Sequence, residues 1–203
     1  DLIPLIEHAE ENHYDIKLHV NGDAAVQHSL DALERVQESR GTLSSRYIFE
    51  HAVLIAEQDY SRILDLGIIV SVQPAHALVG IYGDQMDHWG EEHKDDAWNF
   101  ARLEEEGLDI ILGTDWPVWP TVDAMVNYWT AVEGVGMRSL SKETARLGSS
   151  LAGAKAVGAE LDIGSIESGK WADFVVLEED PLISDNISDI RIAETWIGGK
   201  RVH

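Results

Sequence analysis

The stretch Tyr47–His51, with the sequence YIFEH, carries the pattern that decides the fold. It is a short, mostly apolar run with Glu and His at its end, and residues 56–66 after it have apolar side chains at helical spacing before Gly67. A run of this kind predicts a buried strand, and the spacing predicts a helix that packs against the sheet. The stretch is therefore predicted to be one strand–helix unit of a parallel sheet.

Three further units of the same kind lie along the chain, with predicted strands at Ile16–Val20, Ile68–Val72 and Asp109–Asp115. Helical spacing follows these strands over 24–38, 96–106, 123–133 and 141–158, and a first helix is predicted over 2–13. Four such units predict an α/β fold, either an open doubly wound sheet or a (β/α)8 barrel. No Gly-x-Gly-x-x-Gly motif follows a strand, which disfavours a dinucleotide-binding sheet. Four units are half of a barrel, because a full barrel takes about 250 residues.

The sequence changes character after Gly158. A turn-rich segment, Gly164–Lys170, precedes a β-run at Ala172–Leu177, and another β-run lies between Ile190 and Val202. We therefore predict two domains: residues 1–158 form a half-barrel, and residues 159–203 form part of a small β-structure.

Charge and composition exclude several classes of partner. The chain has 203 residues and a net charge of −22, from 15 Lys+Arg and 37 Asp+Glu. We expect no nucleic-acid partner, because phosphate binding requires clustered basic residues, and no anionic membrane partner. The chain has no Cys, which excludes disulfides and thiol chemistry. We expect a cytoplasmic protein, although the lack of Cys is compatible with either redox compartment.

Three predicted strands end in a residue that can bind a metal: His19, His51 and Asp115. In a βα fold the carboxyl ends of the strands face the active site, and imidazole with carboxylate suits zinc and similar divalent ions. Taken singly, each residue is better explained by a structural hydrogen bond or a helix cap. Their equivalent positions on successive units make a metal site as good an explanation as the structural roles.

Two neighbouring residues extend the candidate site. His76 follows the third strand, where it either donates a hydrogen bond to substrate or is a solvent-exposed loop residue. Glu50 precedes His51, and alternation along a strand predicts that its side chain points to the opposite, helix-covered face. Asp115 is a candidate general base, since a carboxylate beside a metal can accept a proton from water. The sequence from about 75 to 95 predicts a long irregular loop, and its residues 76–95 would hold the substrate specificity.

Five sequence motifs occur in the same order as in a known family. They are His19–Asp23, Phe49–Ala52, Ser71–His76, Gly113–Val118 and Gly164–Leu177. Together they resemble the C-terminal part of the metal-dependent amidohydrolase superfamily. The most similar branch is amidohydrolase family 3, which includes N-substituted formamide deformylase-like proteins. The resemblance extends over essentially the whole chain.

The resemblance implies a distorted (β/α)8 TIM barrel with a β-sandwich built from both ends of the chain. It implies one or two divalent metals, with zinc expected, and hydrolysis of non-peptide C–N bonds in small amides or cyclic amides. His19 and His51 resemble the metal ligands of barrel strands 5 and 6. Asp115 resembles the strand 8 aspartate that binds metal and acts as general base, and His76 resembles a substrate-binding residue.

Some features of the family are missing from this sequence. The His-x-His metal pair of the first barrel strand and the bridging ligand of strand 4 have no counterpart. We therefore expect the C-terminal half of the barrel, strands 5–8, with part of the sandwich, as a fragment or a natural truncation. This chain alone is expected to bind metal weakly or not at all and to be inactive. The alternatives are a non-catalytic binding or regulatory protein, and a homo-oligomer paired through the exposed edges of the half-barrel.

Overall fold

The computed structural model of the chain describes residues 1–78, 93, 96–120, 122–134 and 139–203. The first half of the described chain contains α1 (Ile3–Asn12), β1 (Ile16–Val20), α2 (Asp23–Arg40), β2 (Tyr47–His51), α3 (Asp59–Asp65), β3 (Ile69–Val72) and a 3-10 helix (Pro74–Leu78). The second half contains α4 (Phe100–Glu105), β4 (Ile110–Leu112), α5 (Ala124–Glu133), α6 (Lys142–Gly148), α7 (Leu151–Ala156), β5 (Phe174–Leu177), a 3-10 helix (Ile187–Asp189), β6 (Ile192–Ile197) and β7 (Lys200–Arg201). Within these ranges, no helix is long and apolar enough to cross a membrane.

Strands β1 to β4 form one parallel sheet in sequence order, β1-β2-β3-β4. Each strand is followed by helical structure, so the four predicted strand–helix units are confirmed. The predicted helix at 141–158 is divided into α6 and α7, because Ser150 has φ −141° and ψ −99° and leaves the helical conformation. Most of the predicted loop at 75–95 lies outside the described residues. Its first part, up to Leu78, is a 3-10 helix.

The core lies between this sheet and its helices. Phe49 and Val70 project from β2 and β3, and Leu30 and Leu33 project from α2; all four are fully buried. They belong to the apolar runs and helical repeats that predicted the elements. The other face of β1 carries polar side chains, including His19, which is exposed. The helix-covered face therefore stabilises the sheet, and the opposite face is available for a polar site.

The second sheet is antiparallel, with the order β5-β6-β7. Phe174 stacks on Trp196 with ring centroids 5.6 Å apart. Between β5 and β6, Ile187 and Ile190 are buried in the same apolar core as the parallel sheet. The described chain thus has the expected parallel sheet and a separate small β-structure. The division into domains at residue 158 stays a prediction.

A buried carboxylate joins α1 to the segment that leads into β2. Glu10 accepts hydrogen bonds from the backbone N–H and the hydroxyl of Ser44 (2.9 and 2.7 Å), from the N–H of Ser45 (3.0 Å) and from the hydroxyl of Tyr47 (2.5 Å). Burial alone would raise the pKa of Glu10, but these hydrogen bonds outweigh it and lower the pKa to about 2. Glu10 is therefore ionised and holds β2 in place beside α1.

Candidate metal centre

Three side chains from successive units meet beyond the carboxyl ends of β2, β3 and β4. His51 ends β2, His76 lies in the 3-10 helix after β3, and Asp115 follows β4. One ligand atom from each lies within 4.8 Å of the other two. The rings of His51 and His76 stack with centroids 5.9 Å apart, and His76 Nε2 is 3.7 Å from Asp115 Oδ2. Both imidazoles are buried, whereas the Asp115 side chain is 33% exposed, so the group is accessible from one side.

Two of these residues have unusual backbone conformations. The φ angles of His51 and Asp115 are 77° and 56°, in the left-handed region that non-glycine residues rarely adopt. Such a residue costs on the order of 1–3 kcal/mol and persists only where the surroundings impose it. At His51 the constraint comes from the next residue, because the N–H of Ala52 donates to the Val20 carbonyl at 2.8 Å. The fold thus maintains strain at two of the three clustered residues, as functional sites often do.

The positive φ of His51 turns its own side chain to the face that Glu50 occupies. Alternation predicted that Glu50 would point to the helix-covered face, and this prediction was wrong. Glu50 is in register with His19, and its Oε1 is 3.4 Å from the ammonium of Lys17, which lies on the polar face of β1. His51 also reaches that face, with its ring centroid 4.5 Å from that of His19. The alternation fails because the chain turns at His51.

Gln73, which was not among the predicted site residues, connects Glu50 to His51. Gln73 Oε1 lies 2.7 Å from His51 Nδ1, and Gln73 Nε2 donates to Glu50 Oε2 at 3.1 Å. The same Nε2 is 3.3 Å from the carbonyl and the hydroxyl of Ser71. Gln73 is buried and follows β3 directly. The available signal was a polar amide immediately after an apolar strand and three residues before the candidate His76.

His76 is buried, with only 3% of its surface exposed, which excludes the alternative of a solvent-exposed loop residue. Burial lowers the pKa of His76 below its ordinary value, against the opposing effect of the nearby Asp115 carboxylate. A neutral imidazole is the form that binds a metal. The predicted contact between His76 and substrate stays a prediction.

His19 lies beside the cluster rather than within it. Its ring packs edge-on against His51, and its Nε2 is 3.2 Å from the side-chain nitrogen of Asn21. It is absent from the group of three whose ligand atoms lie close together. Two buried imidazoles and a carboxylate, with a further imidazole alongside, form a donor set that fits zinc or a similar divalent ion.

Comparisons with known proteins agree with this fold. The model of the amidohydrolase family matches residues 2–203. The chain is 27% identical to the protein LONG AFTER FAR-RED 3 of Arabidopsis thaliana, over 96% of this chain and 35% of that protein. It is 25% identical to the N-substituted formamide deformylase of Arthrobacter pascens, over 91% of this chain and 36% of the enzyme. The chain thus spans about a third of the length of these two relatives.

Among solved structures, an uncharacterised metal-dependent hydrolase from Pyrococcus furiosus resembles the chain with a TM-score of 0.71 and 28% sequence identity. The similarity covers 89% of this chain and 37% of the hydrolase. The expected fold class, part of a metal-dependent hydrolase barrel with a small β-structure, is therefore confirmed. Because the family model matches almost every residue, the chain belongs to the amidohydrolase family.

Proposed function

We propose that this chain is part of a metal-dependent hydrolase that cleaves non-peptide C–N bonds in small amides or cyclic amides. The observation that carries the proposal is the convergence of His51, His76 and Asp115, with ligand atoms within 4.8 Å of one another, at the carboxyl ends of parallel strands. The similarity to an N-substituted formamide deformylase supports the substrate class.

We propose His51 and Asp115 as two of the ligands, because their positions at strand ends and their closeness in the structure both support them, and we propose zinc as the preferred ion. The sequence-based assignment takes His19 as the third ligand, whereas the distances favour His76. Bound there, a divalent ion would supply Lewis-acid polarisation of the substrate carbonyl. The backbone conformation at His51 and Asp115 orients both side chains before any ion arrives.

Asp115 is the proposed general base. Its carboxylate is partly exposed, so a water molecule can reach it, and His76 Nε2 at 3.7 Å restricts its orientation. Asp115 accepts a proton from the attacking water and returns it to the leaving nitrogen, so that the amine departs neutral. The stacked imidazoles of His51 and His76 exclude water from the buried side of the site.

Because the sequence contains no His-x-His pair, we propose that the remaining metal ligands of the active enzyme are supplied from outside this chain. The chain alone is then a weak metal binder without significant turnover. Pairing of two copies is a separate proposal, tested by the mass of the chain in solution.

The test is a calorimetric titration of the chain with zinc, beside an assay of amide hydrolysis on N-substituted formamides. We expect weak zinc binding and negligible hydrolysis, and we expect His51→Ala to abolish the binding. His28→Ala changes an exposed His on α2 and is the matched control. Comparison of His19→Ala with His76→Ala identifies the third ligand, as the variant with the larger loss.

Two results would contradict the proposal. Zinc binding that is unchanged in His51→Ala would show that the metal site lies elsewhere. Tight stoichiometric zinc with rapid turnover by the chain alone would refute the statement that further ligands are needed.

A further inference from the structure

We propose that Gln73 is a positioning residue, which fixes the tautomer of His51 so that Nε2 is the nitrogen presented to the metal. The part of this inference that concerns metal affinity rests on the proposed function. The part that concerns the tautomer rests only on hydrogen-bond geometry, and it can be tested without metal.

The orientation of the Gln73 amide is determined by its neighbours. Its Nε2 lies 3.1 Å from Glu50 Oε2 and 3.3 Å from the Ser71 carbonyl oxygen. A carbonyl oxygen can only accept a hydrogen bond, and so can an ionised carboxylate. If the amide were rotated by half a turn, its oxygen would face both of these acceptors. The amide nitrogen therefore points to Glu50 and Ser71, and the amide oxygen points to His51.

The orientation of the amide in turn determines the state of His51. Gln73 Oε1 is 2.7 Å from His51 Nδ1, and because an amide oxygen only accepts, Nδ1 must carry the hydrogen. In the neutral ring, Nε2 then holds the lone pair. Both side chains are buried, with exposed fractions of 6% for Gln73 and 7% for His51, so water does not replace the bond if it is lost.

The hydrogen bonds and the ion pair that hold Gln73 and His51 in place connect three neighbouring strands. Lys17 on β1 pairs with Glu50 on β2 at 3.4 Å, and Glu50 accepts from Gln73, which follows β3. Each link restricts the next, so the orientation of His51 depends on the packing of the sheet. Partners of this kind, which orient a metal-binding His, typically affect metal affinity by about 10–100-fold.

The experiment reads the tautomer of His51 directly, by long-range 1H–15N NMR correlation on the metal-free, 15N-labelled chain at a pH where His51 is neutral. We expect the proton on Nδ1 in the wild-type chain. Gln73→Met keeps the approximate shape but removes the acceptor, and we expect a mixture of the two tautomers and zinc affinity lower by about 10–100-fold. Gln37→Met, in the last turns of α2, is the control and should change neither property.

A second variant tests the hydrogen bonds from Gln73 to Glu50 and His51 independently. It also serves if Gln73→Met does not fold. The double substitution Glu50→Gln with Gln73→Glu exchanges the amide and the carboxylate. The new carboxylate at position 73 still accepts from His51 Nδ1, and the new amide at position 50 donates to its other oxygen. That oxygen also faces the Ser71 carbonyl oxygen, to which Gln73 Nε2 donates at 3.3 Å in the wild-type chain, so we expect the double variant to be less stable than the wild type. We expect this double variant to keep the proton on His51 Nδ1. Gln73→Glu alone places two carboxylates side by side, and its zinc affinity should differ from that of the double variant.

The outcomes separate this inference from the proposed function. A wild-type His51 with its proton on Nε2 overturns the inference, whether or not zinc binds. A tautomer that is unchanged in a folded Gln73→Met, or one that is lost in the double variant, also overturns it. If zinc does not bind to the wild-type chain but the NMR results are as expected, the assignment of Gln73 holds and the proposed metal function fails.

Discussion

Replacing Glu10 with Gln should destabilise the chain strongly, because this buried carboxylate accepts four hydrogen bonds. Oε2 accepts both bonds from Ser44, and Oε1 accepts those from Ser45 and Tyr47. A Gln side chain replaces one of these oxygens with an NH2 group, which then faces one backbone N–H that can only donate and one hydroxyl that must rotate to accept. Each hydrogen bond to a charged group contributes about 1.5–3 kcal/mol, and the bond from the backbone N–H is lost, so we expect a loss of about 3 kcal/mol.

The pKa of Glu10 gives a second value for the free energy of unfolding that Glu10→Gln should lose. Its displacement from 4.5 to about 2 corresponds to about 3 kcal/mol at neutral pH, because one pKa unit is equivalent to about 1.4 kcal/mol. Since the pKa is lower in the folded state, this stabilisation is fully present above pH 4.5 and is lost as the pH falls towards 2. The advantage of the wild-type chain over Glu10→Gln should be about 3 kcal/mol at pH 7 and about 1.5 kcal/mol near pH 3.

The assay is urea unfolding of both chains, followed by tryptophan fluorescence, at about pH 7 and about pH 3. Glu11→Gln is the matched control, because Glu11 is exposed and lies 3.8 Å from Arg40 in a surface ion pair, which should contribute less than about 1 kcal/mol. A difference below about 1 kcal/mol at pH 7, or one that does not decrease by pH 3, would refute the role given to Glu10.

Three further substitutions test the packing. Phe49→Ala should lower the free energy of unfolding by about 3–5 kcal/mol, because Phe49 is fully buried under the helices; urea unfolding measures the loss. Gly164→Ala should lower the melting temperature more than Gly169→Ala: both have positive φ, but only at Gly164 would a Cβ lie within 2.6 Å of another side-chain atom. Arg62→Met leaves the fully buried Asp59 without its ion pair at 2.7 Å, and should cost about 3 kcal/mol by urea unfolding; a cost below about 1 kcal/mol would show that water compensates Asp59.

Much of the candidate site follows from local sequence. His51 and Asp115 were predicted from their positions at strand ends, and the structure brings both into one cluster. Gln73 was not predicted, because its position directly after a strand does not by itself show which side chains it contacts. The face of Glu50 was predicted wrongly, because alternation assumes an extended backbone and His51 has φ 77°.

The sequence by itself determined the order of strands and helices and the class of the fold. Apolar runs and helical repeats are local properties, and each element buries the face that its own pattern defines. Only the tertiary structure decided which polar groups meet. The φ of His51 is imposed by the bond from Ala52 to Val20 on the neighbouring strand, and the Gln73 amide is oriented by groups on two strands. Such contacts join residues that are distant in sequence, so they arise only when the sheet is assembled.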